Sequence, residues 1–248
     1  MSLLESPDTT ADGRMIVSHT HRFIFIKTRK TAGTSIELAL SDIAGEDAIV
    51  TPLIPREPGH TPRNYKGERR DMLRWAIANP DGRARALSCL LREPGVSNRR
   101  NYYNHMPAWL VRAKLGETMW RGYYKFCCER NPWEKTVSLY WWAIRDEAVV
   151  PPFEDWVLTD DRVVSDWPLY TLDGHIAVDD VVQYDELDAG LARVCKHLGV
   201  RDLELPRAKR AGRGGEVLYT SRAAEHVRSV FHREIEAFGY ECHPELLA

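Results

Sequence analysis

Two short stretches of this chain carry residues whose types and spacing could hold phosphate. The first is Lys27-Thr28-Arg29-Lys30-Thr31-Ala32-Gly33-Thr34-Ser35, where two small residues lie among hydroxyls and cations. Ala32 and Gly33 let an anion approach the backbone, Thr31, Thr34 and Ser35 offer hydroxyl donors, and Lys27 and Lys30 bring countercharge. The second runs from Arg130 to Tyr140, RNPWEKTVSLY. In it Arg130 offers a permanently charged bidentate grip, and Ser138, eight residues later, a hydroxyl. Each stretch alone has a plainer reading. The first could be an ordinary strand-to-helix turn capped by Thr34 or Ser35, and Arg130 could be a surface ion-pair partner.

The elements that must position these residues follow from the surrounding pattern. Phe23-Ile24-Phe25-Ile26 has no polar gap, which predicts a strand buried on both faces of a parallel sheet. After the loop, Ile36, Leu38, Ala39, Leu40 and Ile43 recur at helical spacing. The loop therefore leads into a helix start, where unpaired N–H groups and the positive end of the macrodipole favour an anion. Tyr123 to Glu129 repeats the scheme as a second strand, and Pro132 opens a helix with Val137, Tyr140, Trp141 and Ile144 on its apolar face. Trp109, Leu110, Ala113 and Leu115 predict a helix preceded by His105. A third strand is expected over Val178 to Tyr184, a helix from Leu187 to Leu198 that stops at Gly199, and a last helix from about Thr220 to Phe238. Strands alternating with helices imply an α/β fold, three-layered, with a central parallel sheet.

Composition bounds the function. The 248 residues suffice for one substantial core, and 44% hydrophobic content is that of a globular protein. With 34 basic against 36 acidic residues the net charge is only -2, so no global field attracts nucleic acid or a membrane surface. The five cysteines show no metal-ligand spacing, and no metal is expected; core thiols in a reducing, cytoplasmic compartment are. No signal peptide or transmembrane run is read in the sequence. The organisation expected is one domain over 1–248, with 1–20 as a partly ordered arm and 47–104 and 145–177 as variable insertions on the acceptor side. The oligomeric state is left open.

With two strand-loop-helix units in hand, the chain resembles the PAPS-dependent sulfotransferases, specifically the carbohydrate-type group. Lys30 to Ser35 looks like that family's 5'-phosphosulfate loop, PKTGGTS or PKTAGTS, and Arg130 to Tyr140 is similar to its 3'-phosphate motif, RNPxxRxxSxY. Asp179 to Leu187 and Phe238-Gly239-Tyr240 match weaker family patterns. The resemblance implies a P-loop-like sulfotransferase fold, PAPS as co-substrate, and sulfuryl transfer to a hydroxyl of a carbohydrate or glycolipid-like acceptor. Lys30 matches the lysine that meets charge on the leaving 5'-phosphate, whereas Lys27 either adds countercharge or packs behind the loop. Among nine histidines His105 is the expected general base, with His60 next and His175 also considered. Arg207, Lys209 and Arg213 belong to a basic loop that either closes over the nucleotide or is simply solvated. Trp133 and Tyr219 either line the nucleotide site or pack in the core.

The chain departs from the family pattern at two places. Arg29 stands where proline is usual, which frees φ and adds a charge that could contact the anion. Lys135 replaces the second arginine and forfeits bidentate geometry. The loop also lacks the Walker A spacing, its lysine preceding the glycine, which speaks against an ATPase or a kinase. A small-molecule alcohol as acceptor, a nucleotide or small-molecule kinase, and a non-catalytic nucleotide-binding module are the competing readings.

Overall fold

The computed structural model describes residues 15–52, 58–66, 102–103, 105–205 and 217–248. Its centre is a five-stranded sheet. In chain order the strands and helices around it are β1 (Met15–Ser18), β2 (Phe23–Ile26), α1 (Gly33–Ile43), β3 (Ile49–Val50), α2 (Ala108–Leu115), α3 (Glu117–Gly122), β4 (Tyr124–Glu129) and α4 (Pro132–Ala143). They continue with α5 (Phe153–Thr159), α6 (Trp167–Tyr170), a two-stranded ribbon of β5 (Thr171–Leu172) and β6 (His175–Ile176), β7 (Asp180–Gln183), α7 (Leu187–Leu198), α8 (Ser221–Val230) and α9 (His232–Phe238).

The sheet order is β3-β1-β2-β4-β7. Strands β2, β4 and β7 are parallel, in the registers Ile26 with Cys127 and Cys127 with Val181. The other two pairings are antiparallel, Met15 with Ile26 and Ile16 with Val50. The sheet is thus mixed, not wholly parallel as expected. The expected arm over residues 1–20 also ends in sheet: Met15, Ile16, Val17 and Ser18 are all fully buried. Four residues suffice because Ser18 donates its hydroxyl to the Ala44 carbonyl at 2.6 Å, satisfying the one polar side chain.

Alternate residues of the central strands feed separate apolar clusters, as the two-residue period of a strand requires. Ile24, Ile26 and Cys127 pack with Leu110 and Val111 of α2, while Phe23, Phe25, Phe126 and Val182 pack with Ile36 and Leu40 of α1 and Leu191 and Val194 of α7. Helices therefore cover both faces of the sheet. A third cluster joins α4, α5 and α8, and Trp133 and Tyr219 lie in it fully buried. The Tyr219 hydroxyl donates to the Trp133 carbonyl at 2.8 Å, and the Trp133 indole donates to the Ala224 carbonyl at 3.1 Å, so both are core residues.

The single last helix that was expected is two. The chain turns at Phe231, which ends α8 and precedes α9 with φ -105° and ψ 23°. Phe231 is 2% exposed, so the break seats its ring in the third cluster.

Candidate active site

The first loop leaves the sheet at the C-terminal end of β2 and enters α1 through Ala32, whose φ of 56° is left-handed. Lys30 has the same handedness, with φ 57°. Left-handed backbone at two non-glycine residues is strained, and turns of this kind gather N–H groups into anion-binding concavities. Gly33 is needed for another reason. A Cβ there would come within 2.4 Å of Lys27 Cε, because the Lys27 side chain runs across the first turn of α1.

Crossing Gly33 takes Lys27 inward. It is 7% exposed and its ammonium lies 3.6 Å from Glu37, so it packs behind the loop. His60, the second histidine considered, is on that same inner side, 4.0 Å from Glu37 with its side chain 2% exposed. Thr31 also departs from expectation. Its hydroxyl lies 2.9 Å from that of Thr28 and the Thr28 hydroxyl donates to the Cys128 carbonyl, so Thr31 braces the loop against β4 instead of facing a ligand. Lys30, Ala32 and Thr34 are the half-exposed residues left near the helix start, and Ser35 is buried. The Lys30 ammonium sits 5.5 Å from the centre of the Trp142 ring on α4, within cation–π range.

Arg130 follows β4. Its guanidinium stacks 4.3 Å from the centre of the Tyr184 ring and meets Glu134 at 3.1 Å. Asn131 caps α4 by accepting the Trp133 N–H at 3.1 Å and anchors the cap by donating to the Glu241 carbonyl at 2.8 Å. Glu134, Ser138 and Trp142 recur at intervals of four, so they share one face of α4, and each is half-exposed. That face runs from the Arg130 end of the helix to the ring beneath Lys30.

The decisive geometry is the parallel pairing of β2 with β4, Ile26 opposite Cys127. It sends both loops out at the same end of the sheet. In open sheets of this kind ligands bind outside the carboxyl ends of strands. The two stretches singled out in the sequence therefore open onto one side of the molecule, as binding of one ligand by both requires. Arg207, Lys209 and Arg213 lie outside the described residues.

His105 touches the loop from beneath, with φ 46°. Its Nδ1 lies 2.9 Å from the Lys27 carbonyl oxygen. A carbonyl only accepts, so Nδ1 carries the proton and Nε2 keeps the lone pair. Burial lowers its pKa to about 3 against the opposing pull of Asp166, so the ring is neutral at pH 7. A neutral imidazole with a fixed tautomer can accept a proton.

Arg29 is not a free anion contact. Its backbone N–H donates to Asp166 Oδ2 at 2.7 Å and its guanidinium pairs with Oδ1 of the same carboxylate. Lys135, the other departure from the motif, places its ammonium 2.7 Å from Asp166 and 2.6 Å from Glu129. Glu129 and Asp166 are fully buried and Lys135 is 3% exposed. Burial raises an acid's pKa, yet Lys135 and Arg29 outweigh that at Asp166 and hold it below the usual carboxylate value. At Glu129 burial wins over Lys135 and the carboxyl is pushed up to about 7.

Sequence reasoning missed Glu129 and Asp166. A carboxylate ending the otherwise apolar Phe126-Cys127-Cys128 run was the available sign of Glu129. Asp166 carried none.

No family model matches the chain. A search of curated proteins finds an uncharacterized protein of Archaeoglobus fulgidus, 34% identical over 102 residues that make up 38% of this chain and 83% of that protein. The chain belongs to the same family as that archaeal protein. Among solved structures, a sulfotransferase from Alicyclobacillus acidocaldarius aligns over 89% of this chain and 96% of its own, with a TM-score of 0.40 and 17% identity.

Proposed function

We propose that this chain is a PAPS-dependent sulfotransferase that moves a sulfuryl group onto a hydroxyl of a carbohydrate or glycolipid-like acceptor. One observation carries the reading: the parallel register of Ile26 with Cys127, which sets the Lys30 loop and Arg130 side by side. A nucleotide with separate 5' and 3' phosphates matches a pair of neighbouring cation-bearing loops, and the P-loop-like arrangement of β2, loop and α1 suits its 5' end. The motif resemblance selects a carbohydrate-type acceptor. The thiols of Cys127, Cys128, Cys195 and Cys242 are free, which favours a reducing, cytoplasmic setting.

When bound, the nucleotide supplies an activated sulfuryl group, whose bond to the 5'-phosphate oxygen breaks as one to the acceptor oxygen forms. The residues of the chain then have separable tasks. The N–H groups at the start of α1 and the ammonium of Lys30 meet charge appearing on the 5'-phosphate, and Lys30 leaves the face of Trp142 to do so. Arg130 and Ser138 hold the 3'-phosphate, Arg130 exchanging Glu134 for the ligand. His105 Nε2 takes the proton of the acceptor hydroxyl while the Lys27 carbonyl keeps the ring oriented.

Calorimetric titration with adenosine 3',5'-bisphosphate, set against ATP with magnesium, tests the reading. Metal-independent binding of the bisphosphate is expected, followed by turnover of labelled PAPS with a panel of glycan and alcohol acceptors. Preference for ATP with magnesium would replace the proposal with a kinase.

A further inference from the structure

The buried charges beneath the site form a continuous path between its two halves. The Arg29 N–H lies 2.7 Å from Asp166 Oδ2, and that oxygen lies 2.7 Å from the Lys135 ammonium. The same ammonium lies 2.6 Å from Glu129 Oε1, which accepts the Arg130 N–H at 2.9 Å. Both ends of the path are backbone amides just beyond the C-terminal ends of neighbouring strands. One belongs to the loop that precedes α1, the other to the arginine that precedes α4.

We propose that Asp166, Lys135 and Glu129 act as a charged strap that fixes the separation of the two anion sites, making Asp166 and Lys135 positioning residues for a doubly phosphorylated nucleotide. The proposal rests on the nucleotide reading above. Its physical basis is the contrast between backbone pairing and side-chain bracing. Pairing of β2 with β4 ends at Ile26 and Cys127, and the ladder that continues through Glu129 is with β7, so no ladder between β2 and β4 sets residue 29 against residue 130. The strap holds them instead, together with the hydroxyl of Thr28 on the Cys128 carbonyl. Two cations, Arg29 and Lys135, face the ionised Asp166 and the carboxyl of Glu129, so each member of the path has a close polar partner and its members hold one another in place. Both residues that depart from the sulfotransferase motifs are in it. A carboxylate from the segment between α5 and α6 takes both charges, which ties a part of the chain far away in sequence to the loop geometry.

A device that fixes spacing has a distinctive signature. Two sites at the right separation bind a ligand carrying both groups far better than either group alone, because the second contact is intramolecular. Loosening the spacing removes that advantage and leaves each single contact nearly unchanged. The test is calorimetry on the full chain with adenosine 3'-monophosphate, adenosine 5'-monophosphate and adenosine 3',5'-bisphosphate, for wild type, Asp166→Asn and Lys135→Met. Wild type is expected to bind the bisphosphate about 100-fold more tightly than either monophosphate. Each variant should lose about tenfold or more of that advantage, with each monophosphate affinity changed less than about threefold. Asn at 166 still accepts the Arg29 N–H, so Asp166→Asn decides the outcome if Lys135→Met does not fold. An equal loss for all three nucleotides, or an undiminished advantage, overturns the strap while leaving the nucleotide site standing. A wild type with no preference for the bisphosphate overturns the nucleotide reading and the strap with it.

Discussion

Arg29 and Lys135 are 106 positions apart in the sequence numbering, yet both place a nitrogen on the carboxylate of Asp166, the guanidinium on Oδ1 and the ammonium on Oδ2. The acid is fully buried, so it cannot exchange these partners for water. Removing a buried charge's partner is far more costly than removing an exposed one, about 3 to 5 kcal/mol against about 0 to 1 kcal/mol. Asp166→Ala should therefore lower unfolding stability by several times more than Glu225→Ala, which breaks only the exposed pair with Arg228 on α8. Urea titration of the two variants compares them directly; equal losses would mean the buried charges hold nothing together.

Glu129 and His105 should give stability opposite pH slopes. Folding raises the Glu129 pKa from 4.5 to about 7, so over that window the folded state holds more protons and stability falls as pH rises. Folding lowers the His105 pKa from 6.5 to about 3, so between those values the unfolded state holds more protons and stability rises with pH. Asp166, held below the usual carboxylate value, loses its contribution only at still lower pH and is constant between pH 4.5 and 8. The stability of Glu129→Gln minus that of wild type should thus climb steadily from pH 4.5 to 7, and that of His105→Gln minus wild type should fall from about pH 4 to 6.5. Denaturant midpoints at half-unit intervals give both curves, and a flat difference for either variant removes that group from the linkage.

What the chain reveals on reading is what is local. The Phe23–Ile26 run, the abrupt switch to Lys27 and the helical recurrence of Ile36 and Leu40 together define β2, the loop and α1, and the structure has all three. Asn131 before Pro132 marks the start of α4 equally well, since the cap and the first-turn proline act through neighbours in sequence. Partners of buried polar groups are not local. Asp166 meets Arg29 across 137 positions, and no pattern around it signals a carboxylate that will be buried. The inward hydroxyl of Thr31 is hidden from the sequence for the same reason, because it answers to Thr28 and through it to Cys128 on β4. Strand β1 escaped notice because its three apolar residues, Met15 to Val17, sit between the polar runs Asp12-Gly13-Arg14 and Ser18-His19-Thr20 and carry no aromatic or loop signal of the kind that marks β2.

Lys30 and Trp142 form the second relationship that activity should expose. The ammonium rests on an aromatic face, which keeps the side chain near the helix start of α1. Lys30→Ala should reduce kcat by about 100- to 1000-fold, the usual effect of deleting one charge-stabilising donor. Trp142→Leu leaves the ammonium in place but removes its resting contact, worth about 0.5 to 1 kcal/mol, and should cost no more than about fivefold. Single-turnover rates with labelled PAPS separate the two, and an unchanged rate for Lys30→Ala would exclude it from the chemistry.

His105 makes a prediction about the pH dependence of turnover. With a pKa near 3 its ring is already neutral across the ordinary range, so kcat/KM should show no acid limb near the usual histidine value of 6.5. His105→Ala should lower kcat about 100-fold or more, the scale of losing a positioned base, with nucleotide affinity preserved because the ring's hydrogen bond to the loop is to the Lys27 carbonyl, which carries no donor for an anion. A clear inflection near pH 6.5 that disappears in the variant would mean the histidine is solvated and its neutral form is not preset.

Arg130 and Glu134 supply a test in which two substitutions move one quantity in opposite directions. The carboxylate of Glu134 lies 3.1 Å from the guanidinium and also within 3.8 Å of His243 Nε2, so under the proposed reading it competes with the ligand for Arg130. Arg130→Ala removes the cation and should weaken bisphosphate binding by about 100-fold, the scale of a charge-assisted contact of about 3 kcal/mol. Glu134→Gln keeps the size and removes the competing charge; because the pair is partly exposed and worth at most about 1 kcal/mol, binding should tighten by about threefold to fivefold. The gain should shrink as salt is raised, since added ions screen the competitor as they screen the ligand. Calorimetry at low and high ionic strength measures both effects. Weaker binding in Glu134→Gln would show that the carboxylate orients Arg130 toward the ligand instead of competing with it.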